Sequence, residues 1–218
     1  MKKILICIFF FLYGKSLIAQ TFQTTVITNE KGEKITEVKT SGLGQRGYYE
    51  TKRLYRGSIL FNEGFEMATI KPKDGKFLDA PVLFNLYKDE LVAKVEDKEV
   101  LLSKIDFSIR GQNFISYKGH YYELLFENQE VKLLKKYNCV VKSNRGHGGL
   151  NMGGIYEGDF IRNEAFYFLF PDDKMRAFSM NKASILSVLE KRNALLAYPF
   201  NNDTLKINKI EDVISLLR

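Results

Sequence analysis

Cysteine, histidine and tryptophan are scarce in this chain, and each shortage removes a class of chemistry. There are two cysteines, two histidines and no tryptophan in 218 residues. Cys7 falls in an N-terminal apolar run. If that run is removed, Cys139 stands alone, an intramolecular disulfide is impossible, and stability must come from core burial. Between Asn138 and Val140, at the end of a strand pattern, Cys139 reads as a small buried hydrophobe. His120 and His147 lie in no HExxH and near no CxxC, so no metal site and no cofactor is assigned. The chain has no GxSxG elbow, no Cys/His pair at a motif spacing and no carboxylate pair that stands out from the other Asp and Glu residues. No catalytic residue is assigned. Because Ser, His and Asp can meet from distant positions, this argues against an enzyme without excluding one.

No apolar run approaches the roughly 20 residues that span hydrocarbon. The longest N-terminal one, residues 4–13, follows Met1-Lys2-Lys3, is closed by Gly14 and Lys15, and precedes Ser16-Leu17-Ile18-Ala19. A basic start, a short apolar stretch and a small residue at the cut form an export signal, removed before Gln20. Cys7 sits too early in that run to be a lipid-attachment site. The expected localisation is periplasmic, outer-membrane-associated or extracellular. Losing residues 1–19 removes Lys2, Lys3 and Lys15 and no acid, so the formal charge of +7 falls to +4. A mild balance spread over both signs, with no recognised motif, speaks against nucleic acid as a partner.

Strand patterning fills most of the remaining chain. Residues 57–137 read as short apolar alternations separated by polar turns. Phe65, Met67 and Thr69 alternate with Glu66, Ala68 and Ile70; residues 80–87 follow the Lys73-Asp74-Gly75-Lys76 turn; further runs centre on Leu91, Phe107, Phe114, Tyr121 and Val131. Turn signals recur roughly every 8–12 residues, the spacing of an antiparallel sandwich or barrel. Connections this short forbid parallel crossovers. The expected fold is mainly β (α+β), an antiparallel meander forming a barrel or sandwich.

The flanks read differently. Thr24 to Thr28 and Lys34 to Val38 surround Asn29-Glu30-Lys31-Gly32-Glu33 and predict an edge hairpin, whose Lys and Glu residues discourage pairing with a partner strand. Residues 41–47 read as a connection. The mixture after it, Tyr48, Tyr49, Lys52, Arg53, Tyr55 and Arg56, is either a linker strand or a stacking and charge surface for sugars, headgroups or single strands. Residues 145–154 are the most glycine-dense segment. They lack GxxxxGK[ST] and GxGxxG order and read as a surface loop, beside which His147, Tyr156 and Asp159 are candidate ligand-binding residues, as are Tyr48, Tyr49 and Arg53. Residues 164–180 predict a last hairpin. Helical spacing follows from Asn181, again over residues 193–198, and from Asn208, where Ile210, Val213, Ile214 and Leu217 make one apolar stripe. That stripe is short, its polar face is poor in Lys and Arg, and it predicts a sheet-covering helix rather than an interfacial one.

The run Gly57-Ser58-Ile59-Leu60-Phe61-Asn62-Glu63-Gly64-Phe65, then Lys73-Asp74-Gly75-Lys76 and Val82-Leu83-Phe84-Asn85-Leu86-Tyr87, resembles a segment common in uncharacterised exported proteins of Bacteroidetes-type bacteria. Residues 182–217, with Leu205-Lys206-Ile207-Asn208-Lys209, are similar to the helical tail of the same proteins. The resemblance spans about residues 57–218 and implies export and a β-rich fold, with no activity to carry over. The expected organisation is a signal peptide (1–19), a hairpin and linker (20–56), an antiparallel β domain (57–180) and two or three short helices packed on it (181–218). The expected function is a non-catalytic cell-envelope module binding an envelope protein or polymer. The alternative is an envelope hydrolase or small-molecule binder using a cleft beside residues 145–154.

Overall fold

The computed structural model describes residues 21–44, 47–72, 75–143, 156–190 and 207–218. Residues 1–19, read as an export signal, the core of the glycine-rich segment with His147, and the helical reading of residues 193–198 lie outside them. The chain is mainly β and divides into two compact units, Met1–Arg56 with Ser143–Gly158, and Gly57–Lys142 with Asp159–Arg218.

The described part of the first unit contains a three-stranded antiparallel arrangement of β1 (Thr21–Thr28), β2 (Lys34–Gly44) and β3 (Gly47–Arg56). The residues read as a flexible connection are therefore the end of β2 and the start of β3, a hairpin in which Gly44 pairs with Gly47. Asn29 shapes the first turn, its Oδ1 accepting from the Lys31 and Glu33 amides. The Asn29 amide also donates to the Glu33 carbonyl at 3.0 Å. Antiparallel bonding alternates, so Thr21, Gln23, Thr25 and Ile27 bond to β2, while the backbone groups of Phe22, Thr24, Val26 and Thr28 face away from it. The Lys and Glu residues expected to protect this edge stand in the turn and in β2. β1 itself has no charge and no proline.

The second unit holds β4 (Glu66–Lys71), β5 (Leu78–Asn85), β6 (Glu90–Val95), β7 (Lys98–Leu102), β8 (Asp106–Ile109), β9 (Gln112–Tyr117), β10 (His120–Glu127), β11 (Lys132–Ser143), β12 (Gly158–Leu169) and β13 (Met175–Phe178). Their order is β12-β11-β10-β9-β8-β4-β5-β6-β7, with β13 on β12. The simple meander is broken: β8 pairs with β4, not β7. In a flat sheet β7 and β8 would be four strand spacings apart, about 19 Å. The four steps from Leu102 to Asp106 reach at most about 14 Å. The sheet must curl, and the Tyr121 hydroxyl of β10 donates to the Leu102 carbonyl at the end of β7, 3.1 Å away. It does not close into a barrel.

Inside the curl Phe84, Phe107, Phe114 and Tyr121 meet edge to face or stacked, with Phe107 and Phe114 4.8 Å apart and nearly parallel. This is the favoured geometry of aromatic quadrupoles. Residues 59–62 run along β5 and add Phe61 to the cluster, 5.2 Å from Phe114. Asn62, 0% exposed, fixes that strap: its Nδ2 donates to the carbonyls of Gly64 (2.6 Å) and Val82 (2.7 Å), and its Oδ1 accepts from the Phe84 amide (3.0 Å).

A second core lies where α1 (Lys182–Glu190) and α2 (Ile210–Leu217) bury Ile185, Leu189, Val213 and Leu217 against Leu133, Phe168 and Phe178. Asn181 caps α1 as the sequence predicts, its Oδ1 accepting from the Ser184 amide. Asn208 does not cap α2. Asp212 reaches back to the Asn208 and Lys209 amides, and these two bonds, Asn208 first, hold its carboxyl below the usual range.

Replacing Asn62 with Ala leaves a buried carbonyl and a buried amide without partners and is expected to cost about 3 kcal/mol. Urea unfolding with an unchanged m-value reads this directly; a loss below about 1 kcal/mol would remove Asn62 from its central place. In the first unit, Thr25→Pro deletes a ladder donor whereas Val26→Pro deletes an outward one. Hydrogen exchange is expected to show lost protection at Glu37 for the former and near-native protection for the latter, and equal losses would contradict the register.

Candidate functional site

A cleft of about 610 Å³ in the second unit opens where β4 and β9 end and β8 begins. That size falls within the range of small-ligand sites. Lys71, Pro72, Lys104, Asp106, Ser116 and Lys118 line it. Three lysines and one aspartate are among these residues, a formal excess of positive charge that Asp173, paired with Lys118, reduces.

Each side chain is set by its strand or turn. Lys71 ends β4 opposite Asp106 of β8. Its Nζ donates to Asn113 Oδ1 at 2.9 Å, a neutral acceptor that also takes the Ser108 hydroxyl at 2.7 Å. Asp106 is oriented by the Ser116 amide, which donates to its Oδ1 at 2.7 Å. Lys104 occupies the three-residue link between β7 and β8, and no acidic partner for its ammonium stands among the described residues. Lys118 sits in the β9–β10 turn. Both turn lysines have positive φ, 58° for Lys104 and 48° for Lys118, a conformation that Gly or Asn adopts more easily.

Among the described residues, Lys118 is the one cleft lysine with a partner carboxylate, Asp173 at 3.2 Å. The Tyr117 hydroxyl donates to the Asp173 carbonyl at 2.9 Å, and the Lys118 ammonium lies 4.8 Å from the centre of the Tyr117 ring. Tyr117 first and Asp173 second raise the Lys118 pKa; Tyr117 and then Lys118 lower that of Asp173.

A second polar cluster is internal. Glu123, 6% exposed, accepts from Gln112 Nε2 (2.8 Å) and the Tyr137 hydroxyl (2.7 Å) and pairs with Lys135 (2.8 Å). Burial, the largest single influence, opposes the Lys135 charge, but Glu123 and Tyr137 together outweigh it and the pKa is raised; burial pushes the Tyr137 hydroxyl up as well. Among the described residues every buried side-chain N and O atom has a partner, so this network is a closed structural unit. His120 Nδ1 lies 2.8 Å from Asp89, which also pairs with Lys136 at 3.7 Å. Cys139 is buried, and burial pushes its thiol pKa up, away from reactivity.

The residues chosen from sequence are distributed otherwise. In the first unit Tyr48 pairs with Leu43, Tyr49 with Gly42 and Arg53 with Val38 along β3. Arg53 is exposed, and the Arg56 guanidinium lies 6.0 Å from the centre of the Tyr156 ring. Asp159 stands in β12 of the second unit, and His147 lies outside the described residues. Sequence reasoning missed the cleft lysines because they come from three separate elements with no motif spacing. The one local signal was the Lys118-Gly119 turn. No family model matches the chain, and neither a curated protein nor a solved structure matches it.

The lowered Asp173 pKa has a definite sign. Its pairing stabilises the fold above the unfolded carboxyl value, about 4, and that contribution disappears as pH falls through the lower folded value. The stability gap between the native chain and Asp173→Asn is therefore expected to be constant above about pH 4 and to close on acidification. A gap that does not change with pH would contradict the pairing.

Proposed function

We propose that the chain is an exported, non-catalytic binding module of the cell envelope that holds an anionic group of its ligand in the Lys71–Lys104–Lys118 cleft. One observation carries this reading: three lysines and a single carboxylate line one cleft of about 610 Å³. An ammonium is a compact point charge with three rotatable donors, suited to phosphate, sulfate or carboxylate oxygens. Ser116 and Asp106 add a hydroxyl and an acceptor oxygen, which extends recognition to hydroxyl-bearing anions such as phosphorylated or acidic sugars. The reading of residues 1–19 as an export signal supports this choice, since envelopes are built from anionic lipids and polymers.

Inorganic pyrophosphate is a suitable probe. Titrated at low ionic strength, it is expected to move the backbone amide resonances of Lys71, Lys104, Asp106 and Lys118, with an affinity that falls as salt rises. The triple substitution of Lys71, Lys104 and Lys118 by Ala is expected to weaken binding by at least about tenfold, a loss of roughly 1.4 kcal/mol. Absence of binding by the native chain, or equal binding by the variant, would overturn the proposal.

A further inference from the structure

Anion binding at the lysine cleft gives the first unit no role. β1 is an outermost strand there, and among the described residues no strand pairs with its outer side. Edge strands ordinarily carry a guard against pairing with another chain, such as a charge, a proline, a bulge or a short length. The other edges have one: β7 is five residues long and carries Lys98 and Glu99, and β13 is four residues long with Arg176. β1 has none. It runs for eight residues without a charge or a proline, and its register with β2 is unbroken from Thr21 to Thr28. The backbone groups of Phe22, Thr24, Val26 and Thr28 face outward, and the side chains of Gln23, Thr24, Thr25, Ile27 and Thr28 are exposed.

We infer that β1 is the surface through which two copies of the chain pair edge to edge, antiparallel, about a two-fold axis at Thr25. The inference goes beyond anion binding and does not rest on it. Symmetry fixes the register. An antiparallel ladder joins outward groups only to outward groups, and Thr25 is the midpoint of Phe22 to Thr28. With the axis there, Phe22 pairs with Thr28 of the second copy and Thr24 with its Val26, and every outward group of β1 is used. An axis at Thr24 or Val26 leaves some of them unpaired. Charge selects the second copy and its direction. A strand with no charge meets its own copy without repulsion, and threonine against threonine at the axis is a favourable cross-strand pair. β1 offers no charge with which to choose a different strand over its own copy. The antiparallel arrangement also sets the two charged turns, with Glu30, Lys31 and Glu33, at opposite ends, whereas a parallel one puts them side by side.

Sedimentation equilibrium of residues 20–218 at up to about 100 µM tests this, a concentration above the micromolar dissociation constants of small interfaces. The mass is expected to rise from that of one chain to that of two and no further. Val26→Pro removes an outward donor and is expected to remain a single chain while Glu37 keeps its protection from hydrogen exchange. The register is tested where Gln23 meets Ile27 of the second copy. Within its own chain Gln23 pairs with Lys39 and Ile27 with Ile35, so an acid at position 23 is accommodated. Gln23→Glu with Ile27→Lys sets opposite charges across the axis, whereas Gln23→Glu with Ile27→Glu sets like charges there. The first variant is expected to pair at least about tenfold more tightly than the second at low ionic strength, with the difference shrinking in salt. The inference is overturned by a native chain that stays single, by assembly beyond two copies, by a Val26→Pro variant that pairs as the native chain does, or by equal affinities of the two charge variants.

Discussion

The link between β7 and β8 is too short for a flat sheet. Three residues, 103–105, must carry the chain from the outer strand of one meander to the far side of β4. Geometry leaves one solution, a curl that brings β7 back toward β10, and the bond from the Tyr121 hydroxyl to Leu102 spans the gap. The enclosed space is then filled by Phe84, Phe107, Phe114 and Tyr121. An aromatic interior of this kind contributes both area burial and preferred ring geometry. Asn62 completes it by holding the strap that carries Phe61: its side-chain amide donates to the Gly64 and Val82 carbonyls and its oxygen accepts from the Phe84 amide.

The same link carries Lys104. A residue placed there to close the fold is also placed at the mouth of the cleft, next to Lys71 at the end of β4 and across from Lys118 in the β9–β10 turn. Structure and binding chemistry therefore share one constraint. Turns set these ammonium groups, and the network behind them, from Asn113 to Ser108 on one side and Tyr117 to Asp173 on the other, limits how far they can move. Preorganised charge of this kind reduces the ordering cost of binding.

Much of the fold could be read from residue patterns, and the reasons it stopped where it did are physical. Period-two alternation located β4, β5, β6 and β8, because each has one face in the core and one toward water, while β9 to β11 were found through their turn residues. β7 was invisible: its side chains Lys98 to Leu101 are all exposed, so no alternation exists to detect. The β4–β8 pairing was invisible too, since nothing local distinguishes a strand that continues a meander from one that returns to an earlier neighbour. Residues 41–47 looked flexible through their glycines, yet Gly44 and Gly47 pair across a hairpin. The α2 cap shifted from Asn208 to Asp212 because a carboxylate in the first turn reaches two amides at once. The candidate site was the least legible part. A cleft made of side chains from three turns and strand ends exists only after the curl, whereas the tyrosine and glycine clusters that catch the eye are contiguous in sequence.

The account stands or falls on whether anionic charge settles among Lys71, Lys104 and Lys118. Crystals of residues 20–218 grown at low ionic strength with selenate would decide it, because the anomalous signal of selenium locates the anion without reference to the protein. The account predicts a selenate within hydrogen-bonding distance of at least two of the three ammonium groups. Selenate ordered elsewhere on the second unit, with this cleft empty, would contradict it.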